Sequence, residues 1–136
     1  MMAVQPQVRW QGVVVRIGPE AEEFIQAGML VLFGEQAPPE LQAVSVVHRT
    51  EVWNGPCSSG DILRVNGRPY PITAVGDGAN ERLRELGHAV IKFNGRKEPE
   101  LPGDLCVVAA PVPSLEPGMV LSIEAGPQAP ERSGRP

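Results

Sequence analysis

The chain has 136 residues, of which 42% are hydrophobic and 21% are charged, and its formal net charge is −4. A chain of this length can bury one core without metal or disulfide support, and its composition is too apolar for a disordered protein. Aromatic residues make up only 4% and the arginines are scattered, so the composition argues against a basic surface for nucleic acid.

No segment has the features of a targeting sequence or of a membrane span. The apolar runs fall well short of the roughly 20 residues that cross a bilayer. Residues 1–10 contain no basic region followed by an apolar stretch, which a secretion signal would need. We therefore expect a cytoplasmic protein.

Fifteen glycines and fifteen prolines divide the chain into short segments, a pattern typical of strands joined by turns. Residues 19–27 and 80–86 predict two short helices, because each segment has a start signal and is followed by a glycine. The remaining apolar segments predict strands over residues 8–17, 29–33, 41–48, 62–65, 68–75, 89–93, 105–109 and 119–124.

The clearest local signal is the Asn66-Gly67 pair between two predicted strands. Asn and Gly tolerate the positive φ that both central residues of a type I′ turn require, so the pair predicts a β-hairpin. Pro69 and Pro71 lack the N–H group that a ladder needs. We therefore expect the returning strand to begin irregularly or to lie at a sheet edge.

These elements predict an all-β fold, a small barrel-like structure of about seven or eight short strands with two short helices. Residues 1–124 form one predicted domain, and no internal repeat is evident. Residues 125–136 contain no large apolar side chain, so they cannot offset the entropy of ordering and predict a disordered tail.

Few side chains are candidates for chemistry. Cys57 and Cys106 have neither C-x-x-C spacing nor nearby histidines, so we expect ordinary thiols and no metal site or cofactor. His48 ends a predicted buried strand and precedes polar residues, where one ring face could reach solvent. His88 follows Gly87 at a helix end, where the helix dipole favours a cation. A structural role is therefore a sufficient explanation for His88.

One long segment resembles a known family. The runs Y-P-I-T-A-V-G at residues 70–76 and L-R-E-L-G-H at residues 83–88 resemble the glucitol/sorbitol-specific IIA component of the bacterial phosphotransferase system. Shorter matches include R-I-G at residues 16–18, A-P-V-P at residues 110–113 and P-G-M-V-L at residues 117–121. The resemblance runs from about residue 8 to residue 124 and also implies a small β-barrel.

The resemblance implies a phosphocarrier. In that family the phosphorylated residue is a histidine after a short apolar run, and the ungapped match places it on His48. The implied reaction takes a phosphoryl group from phospho-HPr and passes it to the IIB part of a sorbitol permease, whose IIC part transports the polyol. His88 lies within the family pattern and is a secondary candidate, as support for His48 or as a helix terminator.

The surroundings of His48 match the family less closely. Thr50 stands where some members carry a second histidine, and alternation along a strand predicts Thr50 on the same side as His48, with Arg49 on the other. Thr50 and Arg49 are the candidate binding residues. The altered segment after His48 leaves an alternative open, a non-catalytic β-barrel binding or regulatory module of the same fold.

Overall fold

The computed structural model describes residues 7–127, which form a closed barrel of eight strands with three short helices. The all-β prediction is confirmed. The strands are β1 (Val8–Ile17), β2 (Met29–Gly34), β3 (Val46–Trp53), β4 (Ile62–Val65), β5 (Arg68–Val75), β6 (Ala89–Lys92), β7 (Asp104–Val107) and β8 (Val120–Glu124). The helices are α1 (Ala21–Gln26), α2 (Pro39–Gln42) and α3 (Ala79–Leu86).

The barrel contains two three-stranded units with the same pairing. Around the barrel the strands follow the order β1-β3-β2-β6-β7-β5-β4-β8. In the first unit β3 pairs antiparallel with β1 and parallel with β2, and in the second unit β7 pairs antiparallel with β5 and parallel with β6. The antiparallel β2–β6 pair joins the units. The two units therefore share their strand pairing, although no internal repeat is evident in the sequence.

The core consists of inward side chains from all eight strands. Strands β4 and β5 show the alternation expected when one face of a strand is buried. Fully buried side chains such as Leu30, Leu63 and Ile123 each contribute about 1.5–3 kcal/mol by leaving water. None of the helices between residues 7 and 127 is long and apolar enough to cross a membrane.

The predicted hairpin is present between β4 and β5. Asn66 has a φ of 51° and Gly67 a φ of 92°, as the two central residues of a type I′ turn require. In a closed barrel β5 is not an edge strand, so that part of the expectation is wrong. Its ladder with β7 begins only at Ile72. The segment with Pro69 and Pro71 pairs with β4, and the Pro71 carbonyl also accepts a hydrogen bond from the Val108 N–H just after β7.

The third strand begins later than predicted. Residues 41–48 were expected to be a strand ending at His48, whereas Pro39–Gln42 form α2 and β3 spans Val46–Trp53. Pro39 lies in the first turn of α2, where proline is tolerated because no intrahelical N–H bond is needed there. The prediction of two helices is therefore wrong by one, and His48 is near the start of β3.

The ordered chain continues past the predicted boundary at residue 124. The Ala125 N–H donates to the Gln7 carbonyl over 2.8 Å, and the Gly126 N–H donates to Asp61 Oδ1 over 3.2 Å. A short backbone segment without large side chains is thus held by hydrogen bonds. The rest of the expected tail, residues 128–136, lies outside the described residues.

Candidate functional site

His48 lies on β3 between the two other strands of the first unit. It is opposite Val14 of β1 and beside Gly34 of β2. Its side chain is fully buried, with 0% exposure. The expectation that one ring face reaches solvent is wrong, because β3 continues to Trp53 and the α3–β6 turn lies against the ring.

The backbone of that turn holds one edge of the imidazole. His48 Nε2 lies 2.8 Å from the Gly87 carbonyl oxygen. A carbonyl only accepts, so Nε2 carries a proton and donates it, and the lone pair of the neutral ring is on Nδ1. Gly87 ends α3 with a φ of 66°, as predicted, and a Cβ at this position would lie 3.0 Å from Nε2.

The other edge of the ring faces β1. Nδ1 is buried and has no hydrogen-bond partner among residues 7–127. A Cβ on Gly12 would lie 2.9 Å from Nδ1, so the missing side chain of Gly12 makes room for the imidazole. The Trp10 ring packs edge-on against the imidazole, with centroids 5.3 Å apart and planes at 88°.

Burial governs the charge of this histidine. Desolvation lowers the pKa of His48 from its ordinary value of 6.5, and the Gly87 carbonyl and the Glu35 carboxylate oppose that shift. The imidazole is therefore neutral near pH 7. A neutral imidazole is the nucleophilic form.

A polar cavity of about 260 Å³ adjoins the imidazole. It lies between the β2–α2 loop, β3 and the end of α3. Its lining includes both candidate binding residues, Arg49 and Thr50. The full lining is Gly34, Glu35, Gln36, His48, Arg49, Thr50, Arg84, Glu85, Leu86 and Gly87.

Two residues of this cavity were missed from the sequence, Glu35 and Arg84. Arg84 belongs to the L-R-E-L-G-H run, so the motif contained a signal for it. Glu35 follows β2 immediately, and only the parallel β2–β3 pairing brings it next to His48. That pairing has no local signature in the sequence.

The arginines of the cavity are held by exposed ion pairs. Arg49 binds Glu35 through two contacts, Nε to Oε1 and Nη2 to Oε2, each 3.2 Å long. Arg84 Nη2 lies 3.2 Å from Glu85 Oε2. Such exposed pairs contribute about 0–1 kcal/mol, so either guanidinium can exchange its carboxylate for an anion in the cavity.

His88 contacts other groups than His48. Its ring stacks on Phe33, with centroids 4.0 Å apart, and its Nδ1 lies 3.1 Å from the Leu32 carbonyl. His88 does not line the cavity. These contacts fit the structural reading, while the carbonyl of its neighbour Gly87 supports His48.

The two cysteines are buried thiols without a disulfide. Burial is the main cause that raises the pKa of Cys57 to about 12, which keeps the thiol protonated and unreactive. The Asn80 side chain at the start of α3 bonds the backbone N–H and carbonyl of Cys57. Within residues 7–127 no group of three or more His, Cys, Asp or Glu side chains could hold a metal ion.

Comparison with known proteins assigns the family. The family profile described as "PTS system glucitol/sorbitol-specific IIA component" matches residues 9–122. This chain belongs to that family. The glucitol/sorbitol IIA resemblance is confirmed, and the chain is therefore a component of a phosphotransferase system.

Individual relatives agree with this assignment. The glucitol/sorbitol-specific EIIA components of Shigella flexneri and Escherichia coli K12 are each 38% identical to the chain over 119 residues, which cover 87% of it and 96% of each relative. The crystal structure of the PTS system IIA component from Enterococcus faecalis V583 superposes with a TM-score of 0.72 at 25% identity. That likeness covers 82% of this IIA chain and 96% of the enterococcal one.

Proposed function

We propose that this IIA component carries a phosphoryl group on His48, which it accepts from phospho-HPr and transfers to the IIB part of a glucitol/sorbitol permease. The observation that supports the proposal is the neutral imidazole at the wall of a polar cavity, with one ring nitrogen that has no hydrogen-bond partner among residues 7–127. The other histidine of the chain is occupied by Phe33 and Leu32. Because HPr is a cytoplasmic protein, the proposal includes a cytoplasmic location.

The transfer needs no cofactor and no net proton movement. The lone pair of a His48 ring nitrogen forms the new P–N bond as the P–N bond of the donor breaks, and that electron pair returns to the donor imidazole. Phosphoryl transfer of this kind depends on alignment and charge stabilisation. A phosphoryl group on Nδ1 would retain the bond from Nε2 to the Gly87 carbonyl, whereas one on Nε2 would replace it.

The cavity offers charge stabilisation for the transferred group. Arg49 and Arg84 present guanidinium groups, and Thr50 presents a hydroxyl. Guanidinium–phosphate pairs are commonly bidentate and stronger than neutral hydrogen bonds. The phosphoryl group would compete with Glu35 for Arg49 and with Glu85 for Arg84.

The buried ring must move before it can react. Leaving the Gly87 carbonyl costs about 1 kcal/mol net, the usual contribution of one hydrogen bond. Leaving the edge-on contact with Trp10 costs a further ~0.5–1.5 kcal/mol. Costs of this size leave the open arrangement populated at about 1–8 per cent, within the usual range of a minor state, so a docking partner can select it.

Intact-mass measurement tests the proposal. The protein is incubated with phosphoenolpyruvate, enzyme I and HPr, and its mass is recorded at alkaline pH, where phosphohistidine survives. We expect the wild type and the matched His88→Gln variant to gain one phosphoryl mass and His48→Gln to gain none. An equal gain in His48→Gln would refute the assignment to His48.

The burial of the ring favours one competing function. A family member that has kept the barrel as a non-catalytic binding or regulatory module could hold its histidine fully enclosed, as His48 is here. In that case the wild type would gain no mass at any HPr concentration. The same measurement therefore separates the two functions.

A further inference from the structure

Trp10 connects two groups of the candidate site. Its indole ring is buried, with 1% exposure, and lies edge-on to the His48 ring. Its Nε1 donates a hydrogen bond of 3.3 Å to Thr50 Oγ1. Trp10 itself does not line the cavity, whereas His48 and Thr50 do.

The direction of that hydrogen bond fixes the role of the threonine hydroxyl. An indole N–H can only donate, so Thr50 Oγ1 is the acceptor. The hydroxyl proton is consequently not used in the contact with Trp10. No other hydrogen bond of the Thr50 hydroxyl is formed within residues 7–127, so this proton is available to an anion in the cavity.

We propose that Trp10 is a positioning residue for phosphoryl transfer. It holds the Thr50 oxygen by its lone pair and turns the hydroxyl proton toward the cavity. The Thr50 hydroxyl then donates a hydrogen bond to a phosphoryl oxygen during transfer. The inference rests on the proposed function of His48 and adds two named roles to it.

The expected size of the effect follows from the charge of the phosphoryl group. A hydrogen bond to a charged group is stronger than a neutral one, and its loss corresponds to a decrease in rate of about 10- to 100-fold. Trp10 acts on the phosphoryl group only through Thr50. Its own loss should therefore slow transfer less than the loss of the hydroxyl.

Transfer rates of five variants test the inference. Thr50→Val, which removes the hydroxyl at constant shape, should slow transfer from phospho-HPr about 10- to 100-fold, and Thr50→Ser should restore most of the rate. Trp10→Phe should slow the wild type about 3- to 10-fold yet add no further loss in the Thr50→Val background, because a shared role is not additive. Trp53→Phe, which removes the other indole of the chain from β3, is the matched control and should transfer at the wild-type rate.

A spectroscopic measurement keeps the test independent of folding defects in Trp10→Phe. The chain has two tryptophans, so the indole N–H resonance of Trp10 is identified by comparison with Trp53→Phe. We expect this resonance to shift in Thr50→Val and again when the wild type is phosphorylated, as the hydroxyl changes partner.

The outcomes separate this inference from the proposed function. Phosphorylation of the wild type together with a normal rate in Thr50→Val overturns the inference and leaves the phosphocarrier role intact. Equal losses from Trp10→Phe in both backgrounds overturn it as well, because Trp10 would then act without Thr50. If the wild type is not phosphorylated at all, the proposed function fails first.

Discussion

The two three-stranded units of the barrel share a frame but differ in what they bury. In each unit a glycine at the end of the first strand donates its N–H to a carbonyl just before or at the start of the third strand, Gly18 to Ser45 and Gly76 to Asp104, both over 2.8 Å. The first unit places a neutral imidazole, His48, on its third strand. The second unit instead buries the carboxylate of Asp104, which binds Lys92 over 2.9 Å.

This difference shows which features come from the shared backbone arrangement and which come from individual side chains. Each unit has a surface cavity near its second strand, of about 260 Å³ in the first unit and about 370 Å³ in the second. Only the first cavity is lined by a histidine, and its arginines are held by exposed carboxylates. The two units therefore share a backbone arrangement and differ in the few side chains that could carry chemistry. Some variants should disturb both units alike, and others should disturb only one.

We expect the greatest loss of stability from variants of the two glycines, Gly18 and Gly76, that occupy the same place in both units. A Cβ on Gly18 would lie 2.2 Å from the Gln42 carbonyl oxygen, and a Cβ on Gly76 would lie 2.3 Å from that of Pro102. Both neighbours are backbone atoms and cannot swing away. We expect Gly18→Ala and Gly76→Ala each to lower the free energy of unfolding by about 3 kcal/mol, the upper end for overpacking, as measured by urea denaturation. Tolerance of one of the two changes would contradict the equivalence of the units.

The second-largest effect should come from a variant that disturbs only the first unit. In Gly12→Ala the new methyl group would crowd His48 Nδ1 at 2.9 Å and Trp10 Cζ2 at 3.0 Å. We expect the imidazole to be displaced, with transfer from phospho-HPr slowed at least tenfold and the free energy of unfolding lowered by about 1–3 kcal/mol. Gly78→Ala is the matched control in the second unit, because its closest neighbour is the flexible end of Arg82. Similar transfer rates in the two variants would contradict the role given to Gly12.

A third change affects only the second unit. Asp104 is buried and its carboxylate is the main cause that raises the pKa of Lys92. Asp104→Asn removes that charge but leaves an oxygen for the backbone N–H groups of Glu100 and Leu101. We expect thermal or urea unfolding to show a loss of about 1–3 kcal/mol, as for a buried hydrogen bond to a charged group, with an unchanged transfer rate. A slowed transfer would mean that the units are coupled.

The turns of the fold could be predicted from the sequence better than the surroundings of His48. The Asn66-Gly67 turn and the glycine that ends α3 depend on local backbone preferences, and both were found. The register that brings Glu35 and Gly87 to His48 depends on parallel pairing and on a turn distant in sequence. The contact of Trp10 with Thr50 follows from the β1–β3 pairing, and the burial of His48 follows from that pairing and from the α3–β6 turn against its ring. No local pattern encodes either one.

The smallest effect is the pH dependence of stability. Because the pKa of His48 is lowered in the folded protein, the unfolded chain binds more protons below about pH 6.5. The wild type should therefore lose stability relative to His48→Gln as the pH falls below 6.5 toward the folded-state pKa, by at most about 1.4 kcal/mol per pH unit. Paired urea titrations between pH 7.5 and 5, roughly the range over which histidine titrates, measure this difference. A wild type that gains stability over that interval would mean that the folded protein favours the imidazolium.

We propose that the enclosed imidazole of the first unit, His48, is the group that receives the phosphoryl group. The most direct test of this proposal is to phosphorylate the full chain through phospho-HPr, digest it at alkaline pH and sequence the modified peptide by mass spectrometry. We expect the phosphoryl group on His48. A phosphoryl group on His88, or an unmodified His48 after complete reaction of HPr, would contradict it.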